Sequence, residues 1–355
     1  MGMKEPGKRI VIDGCEIGEG VPPYIVAELS ANHNGEIENA FKIIEHAKLA
    51  GANAIKIQTY RPDTITVKCD KPDFQINSGL WRGKSLYDLY EWAHTPWEWH
   101  QDLFDRARQL DITIFSSPFD NTAVDLLEDL NAPAYKIASF EAIDLPLIRY
   151  VASTRKPMII STGMANDSEI EEAIDVAKQA GCEQLVVLHC VSGYPAAPED
   201  YNLRTIADMA ERFGVLTGLS DHTLSNTTAI TAVALGACLI EKHVTLDRSG
   251  GGPDDSFSLQ PEELRQLCED SCIAWSALGK ISYECKKSEK ENLKFRRSLY
   301  FIKNAKAGEK ITLENVKSIR PGYGLPPKYL DEILGKTLSK DVEFGQAVTW
   351  NCIGK

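Results

Sequence analysis

The stretch VLTGLSDHTLSNTTAITAVALGACLIEKH, residues 215–243, decides how the chain is expected to fold. It begins with an apolar β-type run (215–219), continues with a helical stretch (226–235) that stops at a glycine, and ends with a second β-type run (238–240). A strand, a helix and a strand in this order form a βαβ unit, whose crossover places the two strands parallel. The carboxyl ends of both strands should therefore open on the same side of one sheet.

Each of these two strands ends in a histidine preceded by an acidic residue. His222 directly follows Asp221, and His243 stands two positions after Glu241. Two imidazoles on neighbouring parallel strands can hold one divalent metal, with carboxylates to orient them. Two histidines that merely satisfy their hydrogen bonds inside a packed barrel are the alternative.

Six similar apolar runs precede this unit, with helical stretches between them. They lie at residues 24–30, 53–60, 113–117, 134–139, 158–161 and 184–190. Eight βα repeats of almost continuously apolar strands are the pattern of a closed barrel. A doubly wound open sheet should carry GxGxxG in its first turn, and residues 30–35 (SANHNG) do not. The sequence therefore predicts an α/β protein built on a (β/α)8 TIM barrel.

The end of the chain has a different character from the barrel repeats. Residues 284–296 are polar and charged, and the last part shows short strand patterns at 299–302 and 347–350 with glycine-containing turns. We predict a barrel domain at 1–283, a linker at 284–296 and a small β-rich domain at 297–355. So small a module has a marginal core of its own, and we expect it to be stabilised by packing against something larger.

The composition limits the classes of function. A net charge of −12 with no dense Lys/Arg run argues against nucleic-acid binding. The chain shows neither an apolar signal-peptide core at its start nor a long apolar span, so we expect a cytoplasmic protein without membrane partners. The nine cysteines lack CxxC spacing and mostly accompany apolar runs, which fits a reducing compartment.

Active sites of such barrels lie at the carboxyl ends of the strands. An insertion at residues 61–95 has no steady period and is of the kind that forms a wall or lid over a site. Many polar residues stand at or just beyond the predicted strand ends: Glu28, Asn32, His33, Lys56, Gln58, Ser116, Ser117, Lys136, Ser139, Glu141, His189, Ser192, Tyr194, Ser220, Asp221, His222, Glu241, Lys242 and His243.

Lys56 and Lys136 lie inside apolar strands, where an unpaired lysine is rare. Ion pairs with a barrel carboxylate, Glu28 or Glu241, are one interpretation. An anion site is the second, because two ammonium groups with nearby serine hydroxyls suit a phosphate or carboxylate. A Schiff-base lysine is the third.

Two further residues have a plain structural interpretation beside a functional one. Arg320 sits in a Pro-Gly loop of the small domain, where a solvated arginine is the default. Tyr194 precedes Pro195 and could serve only as a packing aromatic.

Seven motifs distributed along nearly the whole chain resemble the sialic acid synthase family. They are AELSANHNG (27–35), IKIQTY (55–60), FSSPFD (115–120), YKIASFE (135–141), GLSDHT (218–223), IEKH (240–243) and IRPGYGL (319–325). The resemblance implies a barrel joined to a C-terminal antifreeze-like (SAF) domain. It also implies a transferase that condenses phosphoenolpyruvate with an amino sugar.

Within the family, the chain looks most like the pseudaminate-forming branch. That similarity lies in FQINSGLW (74–81), LYDLYEWAHTPWEWH (86–100) and RPGYGLPPKY (320–329), and Ser192 stands where the neuraminate branch usually has Asn. The implied acceptor is a 2,4-diacetamido-2,4,6-trideoxy hexose of the altrose type, and the products are pseudaminic acid and phosphate. Because GGP (251–253) is similar to the neuraminate type, an N-acetylneuraminate or legionaminate synthase is the alternative.

The resemblance also implies roles for individual residues. A divalent metal would bind His222 and His243. Phosphoenolpyruvate would be held by Lys56, Ser117, Lys136, Ser139, Ser192 and Ser220. Glu28, Tyr194 and Glu241 would be the catalytic groups facing the sugar, with Asp254 binding it. Arg320 would reach across a domain-swapped homodimer and bind an N-acetyl group in the partner's barrel.

The imidazole ligands favour Mn²⁺, with Mg²⁺ or Co²⁺ as alternatives. A metal-dependent aldolase that uses pyruvate is a competing enzyme class, which needs the histidines but no phosphate site. A carbohydrate- or ice-binding protein is a competing non-enzymatic class. The three widely spaced threonines of residues 299–350, Thr312, Thr337 and Thr349, argue against ice binding.

Overall fold

The computed structural model describes residues 7–354 of the chain. The chain divides into two compact units, one ending at Gly279 and the other beginning at Lys280. Residues 284–296, predicted as a linker, fall in the second unit and consist largely of 3₁₀ turns at Lys287–Phe295.

The strands of the described chain are β1 (Arg9–Ile12), β2 (Cys15–Gly18), β3 (Tyr24–Glu28), β4 (Ala54–Thr59), β5 (Thr113–Pro118), β6 (Tyr135–Ile137), β7 (Met158–Ser161), β8 (Leu185–Cys190), β9 (Leu216–Asp221), β10 (Leu239–His243), β11 (Ser298–Phe301) and β12 (Val316–Ile319). The α-helices are α1 (Ile37–Ala50), α2 (Pro62–Ile65), α3 (Leu86–Ala93), α4 (His100–Gln109), α5 (Asn121–Asp129), α6 (Leu145–Ser153), α7 (Asp167–Gln179), α8 (Thr205–Phe213), α9 (Thr227–Ala234), α10 (Pro261–Leu278) and α11 (Leu330–Ile333).

Strands β3 to β10 form a closed parallel barrel, in which β10 pairs with both β9 and β3. At least one helix follows each of these strands, so the predicted (β/α)8 fold is confirmed. The strands are buried on both faces, and α1 shows how the outer layer is built. Its buried residues Ala40, Ile43, Ile44 and Ala47 recur at helical spacing and face the sheet. The helix ends at Gly51, whose φ of 88° lies in the left-handed region that favours glycine.

The hairpin β1–β2 covers the amino ends of the barrel strands, and the sequence pattern did not predict it. Ile12 and Ile17 are fully buried, in one cluster with Tyr24 and Leu216, the first residues of β3 and β9. The turn Asp13-Gly14 has φ values of 48° and 78°, and Asp-Gly between alternating apolar residues is a known hairpin signal. That dipeptide could have revealed the hairpin.

Two predicted strand ends were too early. The runs at 215–219 and 238–240 stop at polar residues, but β9 continues to Asp221 and β10 continues to His243. Both extensions are paired, because Lys242 lies opposite Asp221 and His243 lies opposite Glu28. Polar residues are thus part of the strands at this end of the barrel, which positions them rigidly.

The second unit has a small core of its own, in which Leu299, Phe301, Ile311 and Val348 are fully buried. Its strands β11 and β12 pair antiparallel. The strand predicted at 347–350 is wrong, because Ala347 makes only a single bridge, to Tyr300, and a 3₁₀ helix begins at Trp350. Among the described residues, no helix combines the length and the apolar character needed to cross a membrane.

Candidate active site

The inward-facing positions of β3 and β10 change from apolar to polar along the strand. In β3 the series is Tyr24, Val26, Glu28, and in β10 it is Leu239, Glu241, His243. The apolar members pack in one cluster at the amino end. Since residues two apart share a face of a strand, the polar members line the barrel toward its carboxyl end.

The other predicted residues of the first unit follow the same geometry. They stand on β4 (Lys56), β5 (Ser117), β6 (Lys136) and β9 (Ser220), or on the loops after β6 (Ser139), β8 (Ser192, Tyr194), β9 (His222) and β10 (Asp254). Arg320 lies in the second unit directly after β12, and its side chain is exposed.

Two lysines and two glutamates form a buried cluster across the barrel. Lys56 Nζ lies 2.6 Å from Glu28 Oε2 and 3.7 Å from Glu241 Oε1, and Lys136 Nζ lies 3.2 Å from the same Glu241 oxygen. Each of these four side chains is at most 5% exposed. The ion pairs of the first lysine interpretation are therefore present. An anion could also contact these ammonium groups beside the glutamates. Anion binding by Lys56 and Lys136 stays a prediction.

The pKa shifts in the cluster follow from burial and from the alternation of charge. Burial raises the pKa of Glu28, with Lys56 opposing the shift. Burial also favours a raised pKa at Glu241, but Lys136 and Lys56 outweigh it and hold that pKa below its ordinary value. Burial lowers the pKa of Lys136. Glu28 is therefore the carboxyl of the pair better suited to accept and release a proton.

Three serine hydroxyls lie at the carboxyl end of the barrel, and one of them contacts a lysine. Lys56 donates to Ser117 Oγ at 3.1 Å, and Ser220 Oγ donates to Glu241 Oε1 at 3.3 Å. Gly163 N donates to Ser139 Oγ at 3.1 Å. These hydroxyls and ammonium groups are the donor types that bind phosphate and carboxylate.

Gly163 is a residue whose importance the sequence pattern did not show. A Cβ atom at this position would stand 2.2 Å from Ser192 Oγ and 2.8 Å from Ser139 Oγ. Only glycine leaves room for both hydroxyls to pack this closely against the position of residue 163. Ser192 Oγ is buried and has no hydrogen-bond partner within residues 7–354, so it is available to a ligand.

The imidazoles of His222 and His243 meet at the mouth, with ring centroids 5.4 Å apart. His222 Nδ1 lies 2.8 Å from the Val191 carbonyl, which fixes the Nδ1–H tautomer and makes Nε2 the atom that would act as a ligand. Burial acts to lower the pKa of His222, but the interaction with the Cys190 side chain outweighs burial and raises that pKa. Burial lowers the pKa of His243 well below 6.5, which keeps that imidazole neutral, as a metal ligand must be. His243 Nδ1 is buried without a hydrogen bond inside the described part of the chain.

These features fit a metal held by two protein nitrogens. In residues 7–354, no group of three or more His, Cys, Asp or Glu side chains is arranged to hold a metal. An ion at His222 and His243 would therefore take its other ligands from substrate and water. That open shell is typical of catalytic rather than structural metal sites.

Tyr194 packs against the imidazoles. Its ring centroid lies 4.5 Å from that of His222, 5.2 Å from that of Phe257 and 5.6 Å from that of Trp81. Burial raises the pKa of Tyr194, so its hydroxyl stays protonated. The packing role is observed, and its catalytic role stays a prediction.

Asp254 comes from the loop after β10 and reaches the same mouth. Its Oδ2 accepts from Ser30 Oγ at 2.5 Å and lies 3.7 Å from His243 Nδ1. Gln58 Nε2 donates to Glu28 Oε1 at 3.1 Å and to Ser30 Oγ at 3.0 Å. These contacts connect the predicted sugar-facing carboxyls, Glu28 and Asp254.

Several polar residues noted at strand ends point away from the mouth. Ser116 and Thr59 hydrogen-bond each other at 2.6 Å, and His33 packs edge-on against Trp99. Lys242 pairs with Asp221. Glu141 differs, since its Oε2 is buried without a partner among the described residues and burial raises its pKa to about 7. It is a candidate proton carrier at neutral pH to which the sequence pattern assigned no role.

A cavity of about 350 Å³ lies between the insertion and the loop after β10. Trp81, Trp92, Arg248 and Asp255 are among its lining residues. Trp81 Nε1 donates to the Pro253 carbonyl at 2.9 Å, so the two segments are joined. The insertion therefore forms a wall beside the mouth, as predicted.

Known proteins resemble the chain over most of its length. The model of the NeuB family matches residues 43–283, and that of the SAF domain matches residues 296–354. The pseudaminic acid synthase of Campylobacter jejuni subsp. jejuni serotype O:23/36 is 47% identical over 325 residues, covering 92% of this chain and 95% of that protein. The pseudaminic acid synthase of Helicobacter pylori is 44% identical over 320 residues, covering 90% and 94% respectively.

A solved structure agrees with this. The crystal structure of N-acetylneuraminic acid (sialic acid) synthetase from Leptospira borgpetersenii, in complex with citrate, matches with a TM-score of 0.72 at 31% identity. The match covers 82% of this chain and 96% of that one. The sequence matches and the barrel geometry thus agree, and the chain belongs to the NeuB family.

Proposed function

We propose that the protein condenses phosphoenolpyruvate with a 2,4-diacetamido-2,4,6-trideoxy hexose of the altrose type, forming pseudaminic acid and phosphate. The observation that carries this proposal is the 47% identity to a pseudaminic acid synthase across 92% of the chain. The barrel mouth supports it, because buried ammonium groups and hydroxyls suit phosphoenolpyruvate on one side and a pair of imidazoles, of which His243 is held neutral, suits a metal on the other.

In this reaction, Lys56 and Lys136 bind the phosphate and carboxylate of phosphoenolpyruvate, with hydroxyls from Ser117, Ser139, Ser192 and Ser220. The net charge of −12 would otherwise repel such an anion, so local cations are needed. The same contacts orient C3 of phosphoenolpyruvate toward the aldehyde carbon of the opened sugar.

Bond formation between C3 and the aldehyde carbon leaves cationic character at C2 of the former phosphoenolpyruvate and a negative charge on the former aldehyde oxygen, which takes up a proton from solvent. Glu28 stabilises that charge and accepts a proton from the water that adds at C2. Its raised pKa suits this exchange. Cleavage of the C–O bond then releases phosphate and gives a nine-carbon 2-keto acid, which cyclises. Tyr194 and Glu241 face the sugar, and Asp254 binds it.

His222 and His243 would hold a divalent metal, for which we propose Mn²⁺. When bound there, it supplies Lewis-acid polarisation of the sugar aldehyde. The neutral His243 imidazole and the fixed tautomer of His222 support this assignment.

We also propose a domain-swapped homodimer in which Arg320 binds an N-acetyl group of the sugar in the partner's barrel. The exposure of Arg320 on the second unit supports it. We place the reaction in the cytoplasm, because all nine cysteines of the chain are free thiols in the structure.

An N-acetylneuraminate or legionaminate synthase is the second candidate. The 31% identity to the Leptospira sialic acid synthetase and the GGP motif at 251–253 favour it. The wall residues of the insertion and of the loop after β10 would decide between these acceptors.

The bond that breaks can be tested directly with ¹⁸O-labelled water. Condensation by C–O cleavage is expected to put the label at C2 of the keto acid and leave the phosphate unlabelled. Labelled phosphate with an unlabelled keto acid would mean P–O cleavage and a different reaction. A pyruvate aldolase would release no phosphate at all.

A further inference from the structure

Ser30 is held in an unusual backbone conformation at the barrel mouth. It stands two residues after the end of β3, is 2% exposed and has a φ of 47°. Non-glycine residues rarely adopt this left-handed region, and such strain collects at functional sites. Glycine would adopt this backbone conformation without strain. The presence of serine here therefore indicates that its side chain has a role.

The hydroxyl of Ser30 bridges two other side chains. It donates its single hydrogen to Asp254 Oδ2 at 2.5 Å and accepts one from Gln58 Nε2 at 3.0 Å. The second Nε2 hydrogen of Gln58 goes to Glu28 Oε1 at 3.1 Å. The hydroxyl hydrogen of Ser30 and both Nε2 hydrogens of Gln58 are thus used in hydrogen bonds. The carboxyl groups of Glu28 and Asp254 act as acceptors.

The backbone around Asp254 is fixed separately from its side chain. Ser258 Oγ donates to the Asp254 carbonyl at 2.6 Å, and Asn32 Nδ2 donates to Ser258 Oγ at 2.8 Å. Asn32 Nδ2 also donates to the Val244 carbonyl at 2.8 Å. Loss of the Ser30 hydroxyl would therefore remove one anchor of the Asp254 carboxylate and leave its loop in place.

We infer that Ser30 is a positioning residue for the acceptor sugar, because its hydroxyl fixes the Asp254 carboxylate that receives the sugar. This inference rests on the proposed function, in which Asp254 binds the sugar. The Asp254 side chain keeps an exposed fraction of 12%, so it is accessible to a ligand.

The direct hydrogen bonds of Ser30 explain why it should act on the sugar rather than on phosphoenolpyruvate. Its hydroxyl contacts Asp254, which is proposed to bind the sugar, and Gln58, and neither is among the residues proposed to hold phosphoenolpyruvate. Removal of the hydroxyl should therefore disturb one substrate far more than the other.

The test uses steady-state phosphate release by Ser30→Gly and Ser30→Ala in the full-length protein. Both variants lose the hydroxyl, but only glycine relaxes the backbone. We expect both to raise the KM of the sugar about tenfold, the usual effect of losing a hydrogen bond to a charged group, with the KM of phosphoenolpyruvate within about twofold. Asn131→Gly is the matched control, because Asn131 also has a left-handed φ, of 57°, in a turn outside the site. It should leave both KM values unchanged.

A normal sugar KM in Ser30→Gly would overturn the inference, and so would an equal rise in both KM values. Impairment of Ser30→Ala alone would assign the effect to the backbone and would overturn it as well. In an Asp254→Ala background, Ser30→Gly should add little further loss, whereas a full additional effect contradicts the coupling. If the unaltered protein released no phosphate with any sugar, the proposed function would fail first, so the two failures are distinguishable.

Discussion

Lys242 Nζ lies 2.8 Å from Asp221 Oδ2, and this buried ion pair joins the residues that directly precede His243 and His222. Lys242 also donates to the Thr223 carbonyl at 2.6 Å. The two residues are register partners on β10 and β9. The Lys242–Asp221 pair faces away from the mouth and fixes the ends of β10 and β9. The residues that follow the pair, His243 and His222, point into the mouth.

Removal of one partner should therefore destabilise the fold. Lys242→Met leaves the Asp221 carboxylate buried without its cation, and we expect the free energy of unfolding to fall by about 3–5 kcal/mol. Urea denaturation measures this. The double variant Asp221→Leu/Lys242→Met should recover much of the loss, and an unchanged midpoint in Lys242→Met would contradict the role of the pair.

Gly163 should control the binding of phosphoenolpyruvate. Gly163→Ala places a methyl group 2.2 Å from Ser192 Oγ, so we expect the KM of phosphoenolpyruvate to rise about tenfold or more, because at least one hydroxyl must move. Gly193→Ala is the control, since its Cβ would find its nearest neighbour at 3.4 Å. A normal phosphoenolpyruvate KM in Gly163→Ala would exclude the two hydroxyls from the site.

The sequence predicted the barrel and most of its mouth because both follow from periodicity. Strand β7, for example, agrees to the residue with the run predicted at 158–161. The strand ends at His243 and Asp221 were missed, because polar residues that line a barrel look like a loop in one dimension. Gly163 and Ser30 were missed as site residues for a different reason. Their roles depend on contacts with distant residues, which neither spacing nor composition reveals.

The metal assignment can be tested by its effect on both binding and turnover. We expect His243→Ala to retain no Mn²⁺ after dialysis and to lose turnover by about a hundredfold or more. His46→Ala, at an exposed position on α1, is the control and should keep both. Full activity of chelator-treated His243→Ala would remove the metal from the mechanism.

The proposed domain swap can be tested by mixing two defective proteins. Arg320→Ala and His243→Ala chains should each be nearly inactive, but a hybrid dimer would contain one site with both wild-type residues. We expect mixing after partial unfolding and refolding to restore activity on the order of a quarter of normal. Persistent inactivity of mixtures shown to contain hybrid dimers would mean that Arg320 serves its own chain's barrel.

Acid should destabilise the protein partly through His100. Burial lowers the pKa of His100 from 6.5 to about 4, and its ring nitrogens face Thr59 Oγ1 at 2.8 Å and the Pro96 carbonyl at 3.1 Å. Between these pH values the unfolded chain binds a proton that the folded chain does not. The free energy of unfolding should therefore fall as the pH drops from 6.5 to 4, by about 3 kcal/mol for this group.

Urea unfolding at a series of pH values checks this dependence. His100→Gln should give a flatter curve between pH 6.5 and pH 4 than the unaltered protein gives. Equal slopes in His100→Gln and the unaltered protein would show that His100 is not held neutral.

Phosphate release with a panel of acceptor sugars shows whether this barrel mouth joins phosphoenolpyruvate to a diacetamido sugar, as we claim. We expect rapid, sugar-dependent release with 2,4-diacetamido-2,4,6-trideoxyaltrose, and much slower release with N-acetylmannosamine and with the legionaminate precursor. Preference for either of the latter would reassign the acceptor. No sugar-dependent phosphate release with any of the three would contradict the claim itself.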